Sequence, residues 1–109
     1  MPQVPSLTHL QFLVLGRLRE GSATGRQVRN RLEQYAVRKS APAFYQLMAR
    51  MEDAGVVEGW YEQEMVEGQT IRQRHYKITA QGRRACDRSS KFYRPAAQDL
   101  IESEGLAYG

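Results

Sequence analysis

One cysteine, no long apolar run and no cofactor loop set the first limits on this chain. Of 109 residues only Cys86 is a cysteine, so an internal disulfide is excluded. The apolar runs extend over only a few residues, far short of the roughly 18 that a membrane helix requires, so no membrane partner is expected. Met1-Pro2-Gln3-Val4-Pro5 has neither the basic nor the apolar stretch of a secretory leader. With a lone thiol, this makes the cytoplasm the expected location. His9, His75 and Cys86 are scattered without metal-ligand spacing. There is no glycine-rich phosphate loop, nucleophile elbow or recognisable carboxylate pair. The chain is therefore expected not to be an enzyme and to carry neither metal nor cofactor.

What is present is an ordinary globular composition, 41% hydrophobic and 26% charged, enough for one modest core. The net charge of +4 is unevenly spread. Residues 26–39 hold Arg26, Arg29, Arg31, Arg38 and Lys39 against Glu33 alone. Residues 72–94 hold eight basic side chains against Asp87 alone. Between these blocks, Glu58, Glu62, Glu64 and Glu67 stand in a stretch with no basic residue. Two basic blocks around an acidic one point to a polyanion reached by particular faces, although a basic block is also what a solvated surface looks like.

Local patterns place the elements. Thr8 with Gln11 is a capping box opening a first helix that runs to about Glu20, with Leu10, Leu13, Val14 and Leu18 at helical spacing and Gly21 as its stop. Thr24 with Gln27 repeats the device for a second helix whose buried face is read as Val28, Leu32 and Tyr35. Ser40 opens a third, with Pro42 in its first turn and Phe44, Leu47, Met48 and Met51 as a core stripe; Gly55 closes it. The period then changes to that of two strands, 56–64 and 70–78, turned by Gly68, with Tyr76 and Ile78 toward the core. Thr79 caps a last helix, despite Gly82 in its first turn, that runs to about Tyr93 and is interrupted at Pro95.

The expected class is α+β, mainly α with a small hairpin: three helices, a two-stranded wing and a C-terminal helix. This is the winged helix-turn-helix order, in which the third helix enters the major groove. The expected division is 1–78 for the winged-helix domain, 79–104 for a dimerisation helix kinked or broken near Pro95, and 105–109 for a flexible tail.

Three stretches together resemble the PadR family of transcription regulators. The first is Leu10 to Leu18 (LQFLVLGRL) with Gly21 and Thr24-Gly25. The second is Ser40-Ala41-Pro42-Ala43-Phe44-Tyr45, continuing through Leu47, Met51-Glu52 and Gly55-Val56-Val57. The third is Arg72 to Thr79 (RQRHYKIT) with Gly82-Arg83-Arg84. The resemblance covers roughly residues 7–90 and implies a homodimeric repressor, in a family whose members often answer to small aromatic effectors. Three positions depart from the family pattern: Arg26 replaces a tyrosine, Ala43 a hydroxyl residue and Gln46 a proline.

The outward face of the third helix carries the expected base readers, Gln46 and Arg50, since glutamine pairs with adenine and arginine with guanine. Arg50, followed by Glu52 and Asp53, also reads as ordinary surface. Tyr45 reads either as a phosphate contact or as packing. Expected phosphate contacts are Thr24 and Arg26 at the second helix start, Arg38, Lys39 and Ser40 before the third, and Arg72 and Arg74 on the wing. The three glutamates of shared parity, Glu58, Glu62 and Glu64, are expected to face away from a duplex or to pair across the hairpin with Arg72, Arg74 and Lys77. Dimer contacts are expected at Ala85, Phe92, Tyr93, Leu100 and Ile101. The expected partners are double-stranded DNA, a second copy and a small-molecule effector. The rival reading is a winged helix that binds protein through Trp60, Tyr61 and the acidic strand.

Overall fold

The computed structural model describes residues 7–88. Its elements follow in the order α1 (His9–Leu18), β1 (Ala23–Thr24), α2 (Gly25–Gln34), α3 (Ala41–Asp53), β2 (Val57–Val66) and β3 (Gln69–Ile78). A further helix, α4, covers residues 80–88.

Both capping boxes form. Thr8 Oγ1 accepts from Gln11 N at 3.1 Å while Gln11 Oε1 accepts from Thr8 N at 3.1 Å. Thr24 and Gln27 do the same at 3.1 and 2.9 Å. Ser40 caps α3 through Ala43 N at 3.3 Å. Each cap contributes about 1 kcal/mol, whereas each fully buried Val, Leu, Phe or Met contributes roughly 1.5–3. Packing therefore holds the helices, and the caps decide where they begin.

That packing is one cluster. Val14, Leu15 and Leu18 of α1, Val28 and Leu32 of α2, and Phe44, Leu47, Met48 and Met51 of α3 meet Val56, Val57, Tyr76 and Ile78 from the base of the hairpin. Leu10, Phe12 and Leu13 lie partly buried against it. Tyr35, expected on the buried face of α2, is instead 56% exposed. The helix ends before it: Tyr35 is the C-cap, Ala36 takes φ 60, and the helical phase that would turn Tyr35 inward is lost.

The hairpin is longer than the residue pattern indicated, and its turn is Glu67-Gly68, both at positive φ (52° and 78°). Two such residues make a type I′ turn. This sets a register from Val66 opposite Gln69 to Val57 opposite Ile78. The sheet also has three strands rather than two, in the order β1-β3-β2, because Ala23 and Thr24 pair with Tyr76 and His75. A two-residue strand has no periodicity to read.

Gly82, which looked like a flaw in the last helix, is what lets that helix approach. A Cβ there would collide with the Val56 carbonyl oxygen. Thr79 Oγ1 accepts from Gly82 N at 3.0 Å and donates to Gly55 O at 2.6 Å, fastening α4 to the end of α3. Ala85, expected at a dimer contact, is 1% exposed and packs in this chain's own core beside Cys86. The close approach at Gly82 turns that face of α4 inward. Burial pushes the Cys86 thiol pKa up, keeping it protonated and inert. Phe92, Tyr93, Leu100 and Ile101 lie outside the described residues.

Candidate nucleic-acid interface

The start of α2, the outer face of α3 and the arginine face of the wing converge. Thr24, Gly25, Arg26, Tyr45, Arg72, Gln73 and Arg74 line a small cleft of about 150 Å³. A wider cleft of about 470 Å³ adjoins it through Tyr45, Arg72 and Arg74 and adds Ala49, Glu52, Tyr61 and Tyr76. Gly25 leaves room for this convergence: a Cβ there would lie 2.8 Å from the Tyr45 hydroxyl, so a side chain at 25 would push the tip of that ring away from the first turn of α2. Tyr45 also meets Phe44 edge-on at 5.2 Å, and it remains exposed. It is thus both packed and reachable.

Gln46 and Arg50 are exposed on α3, as its buried stripe of Phe44, Leu47, Met48 and Met51 requires. Arg26 and Arg38 are exposed and Lys39 is half-buried. The loop holding Arg38 and Lys39 is tied back by Arg29, whose Nη2 donates to Lys39 O at 3.3 Å and whose guanidinium stands 6.0 Å from the Phe44 ring. Arg29 is thus a half-buried anchor for the entry to α3. Arg31 is also engaged, through its Nη2 to Glu20 Oε1 at 2.8 Å, and the hydrogen bond it donates lowers the Glu20 carboxyl pKa.

The glutamates do not pair with Arg72 or Arg74. The register places Glu58, Trp60, Glu62 and Glu64 on one face of the hairpin with His75 and Lys77, and Tyr61 with Arg72 and Arg74 on the other. Glu58 pairs with Lys77 at 3.4 Å, and Glu62 and Glu64 approach His75 Nε2 at 3.4 and 3.2 Å. Trp60 stacks on the His75 ring at 5.8 Å and donates to Glu62 at 2.9 Å. Among the described residues, Glu62, Glu64 and His75 are the group whose donor atoms lie close enough to hold a cation, within 4.8 Å of one another. Trp60 and Tyr61 point to opposite faces, so they form no common patch.

Two participants escaped the sequence reading. Glu52 forms an ion pair with Arg74, and Tyr61 lies beneath both wing arginines, 4.0 Å from Arg72 and 4.6 Å from Arg74. Gly59 was the available signal. A glycine inside a strand marks a close approach, and a Cβ at 59 would run into the Glu52 carboxylate. Desolvation disfavours the Arg74 charge, but Glu52 and the Tyr76 hydroxyl more than offset it, so its pKa is raised. Burial pushes Tyr76 up to about 12.

A helix-turn-helix of α2 and α3 set beside a hairpin is the winged-helix DNA-binding fold. Residues 14–88 match the transcriptional regulator PadR-like family, and the chain belongs to it. The family and fold are those of transcription regulators rather than enzymes. Solved structures agree on the fold. A PadR family transcription regulator from hypervirulent Clostridium difficile R20291 superposes with a TM-score of 0.72 at 16% identity, over 87% of this chain and 97% of that one. One from Eggerthella lenta DSM 2243 gives 0.63 at 24% identity, over 85% and 79%. Bacillus subtilis PadR in complex with operator DNA gives 0.59 at 18% identity, over 76% of this chain and 46% of that one. No curated protein matches the sequence. No helix among the described residues is long and apolar enough to cross a membrane.

Proposed function

We propose that this chain is a sequence-specific DNA-binding regulator, acting as a homodimeric repressor in the cytoplasm. The observation that carries the reading is the convergence of Thr24, Arg26, Tyr45 and Arg72 around one cleft, beside exposed Gln46 and Arg50. Thr24, Arg26, Arg38, Lys39 and Ser40 hold phosphates at two neighbouring helix starts, where backbone amides and the helix dipole favour anions. Gln46 and Arg50 read base edges in the major groove, and the wing reaches the adjacent backbone. That Bacillus subtilis PadR has been solved with operator DNA supports the same partner here.

Dimerisation is assigned to Phe92, Tyr93, Leu100 and Ile101, whose apolar side chains follow the winged-helix core in sequence. A twofold pair would place two α3 helices on half-sites about one DNA turn apart. An effector, where one acts, is a small aromatic molecule, as the family resemblance implies.

The test is fluorescence anisotropy with mixed-sequence duplex DNA at two salt concentrations. About six phosphate contacts weaken binding on the order of a thousandfold between roughly 50 and 200 mM salt. Reversing Arg38 and Lys39 to Glu removes most of that binding. Undiminished binding in the reversed variant removes the helix-start contacts from the proposal; absence of binding in the wild type refutes it. The rival protein-binding reading draws its support from the wing tip, where Met65 is 72% exposed beside Val66 and Ile71. Absence of DNA binding in the wild type, together with capture of a protein partner that is lost when the tip is exchanged for polar residues, would favour it.

A further inference from the structure

The two wing arginines look equivalent in sequence, two residues apart and on one face. Their surroundings differ. The Arg72 guanidinium lies exposed over the Tyr61 ring, with no carboxylate within ion-pair distance among the described residues. Arg74 is 23% exposed and its Nη2 is paired with Oε1 of Glu52, itself 24% exposed. Its guanidinium is also held between ring contacts, 4.6 Å from Tyr61 and 5.7 Å from Tyr76. Gly59, opposite Tyr76 in the register, leaves the space in which that pair sits.

Resting on the DNA-binding reading, we infer that the wing offers DNA a single cation, Arg72, and that Arg74 is a positioning residue joined through Glu52 to the recognition helix. A phosphate drawn to Arg74 would meet the Glu52 carboxylate and be repelled by it. Taking Arg74 away from Glu52 would also strand a half-buried negative charge. Arg72 carries no such penalty, and its stack on Tyr61 restricts the guanidinium before DNA arrives. The Glu52–Arg74 pair spans α3 and β3, so it fixes where Arg72 stands relative to Gln46 and Arg50. Glu52 thereby also screens the cleft, setting how many phosphates this face neutralises.

The experiment is the salt dependence of anisotropy binding to mixed-sequence duplex DNA, read as the slope of log K against log salt. Each phosphate contact contributes about 0.9 to that slope. Arg72→Gln is expected to flatten it by about 0.9. Arg74→Gln is expected to leave the slope at the wild-type value, whatever it does to affinity. Glu52→Gln, nearly isosteric, frees Arg74 and is expected to steepen the slope by up to about 0.9. The double variant Glu52→Gln with Arg74→Gln returns it to the wild-type value. Circular dichroism confirms that each variant is folded, and Glu52→Gln carries the test should Arg74→Gln fail to fold. A slope flattened equally by Arg72→Gln and Arg74→Gln overturns the division, as does an unchanged slope in Glu52→Gln. A wild-type chain whose binding ignores salt is a different failure, that of the DNA reading itself.

Discussion

The two faces of the hairpin are built from the same two strands and have opposite chemistry. One carries Glu58, Glu62 and Glu64 gathered around Lys77 and His75, with Trp60 laid on the imidazole. The other carries Arg72 and Arg74 over Tyr61, facing α3, and runs down into Tyr76 and Ile78 of the core. Summed along the chain, the wing is a mixture of charges with no face suited to DNA. Sorted by the two-residue period and the Glu67-Gly68 turn, the mixture separates into an acidic face turned away from the cleft and a basic face lining it. Net charge over a segment therefore says little until the register is known.

The largest effect that sharpens this contrast lies where the basic face enters the core. Tyr76→Ala removes a side chain that is 2% exposed, and urea unfolding should show a loss of about 3–5 kcal/mol. Trp60→Ala, at a half-buried position on the acidic face, should lose only about 1 kcal/mol in the same assay, chiefly its stack on His75. Equal losses would contradict the assignment of one face to the core.

Alkaline pH gives the next effect. Unfolded tyrosine ionises near pH 10, whereas burial raises folded Tyr76 to about 12. Between those values the native state keeps a proton that the unfolded state has lost. Stability on this account is full below pH 10 and declines as pH rises toward 12, by roughly 3 kcal/mol. Stability curves of wild type and Tyr76→Phe should diverge in that window, and parallel curves would deny Tyr76 its raised pKa.

Gly59→Ala should come third, at about 1–3 kcal/mol. The added methyl meets the Glu52 carboxylate and stands 2.7 Å from Arg74 Nη2. A double-mutant cycle with Glu52→Ala should show much of that loss disappearing; full additivity would mean that the glycine serves some other purpose. The smallest effect belongs to the acidic face. Glu58 and Lys77 are both more than half exposed, so Glu58→Gln should change stability by less than about 1 kcal/mol, and less again at high salt.

What was legible in the sequence was local. Thr8-Gln11 and Thr24-Gln27 announce helix starts because a capping box is a four-residue device, and the stripe of Phe44, Leu47, Met48 and Met51 needs only helical period. The two-residue turn was half legible: Gly68 stood out, but Glu67 at φ 52 did not, since only context forces a non-glycine residue there. Features joining distant positions were not legible. The pairing of Thr24 with His75, the Arg29 tie to Lys39 and the Glu52–Arg74 pair all cross elements. Ala85 was misassigned because helical spacing identifies a stripe without saying what covers it. In two cases a glycine was the clue: Gly59 for the ion pair and Gly82 for the inward turn of α4.

The central claim, that one face built from α2, α3 and β3 meets DNA while the acidic wing face turns away, is tested most directly by amide chemical-shift mapping during titration with duplex DNA. The account predicts perturbations concentrated at Thr24 to Gln27, Ser40 to Arg50 and Arg72, with Glu58, Trp60 and Glu62 little changed. Perturbations centred on Glu62, Glu64 and His75, with the starts of α2 and α3 silent, would contradict it.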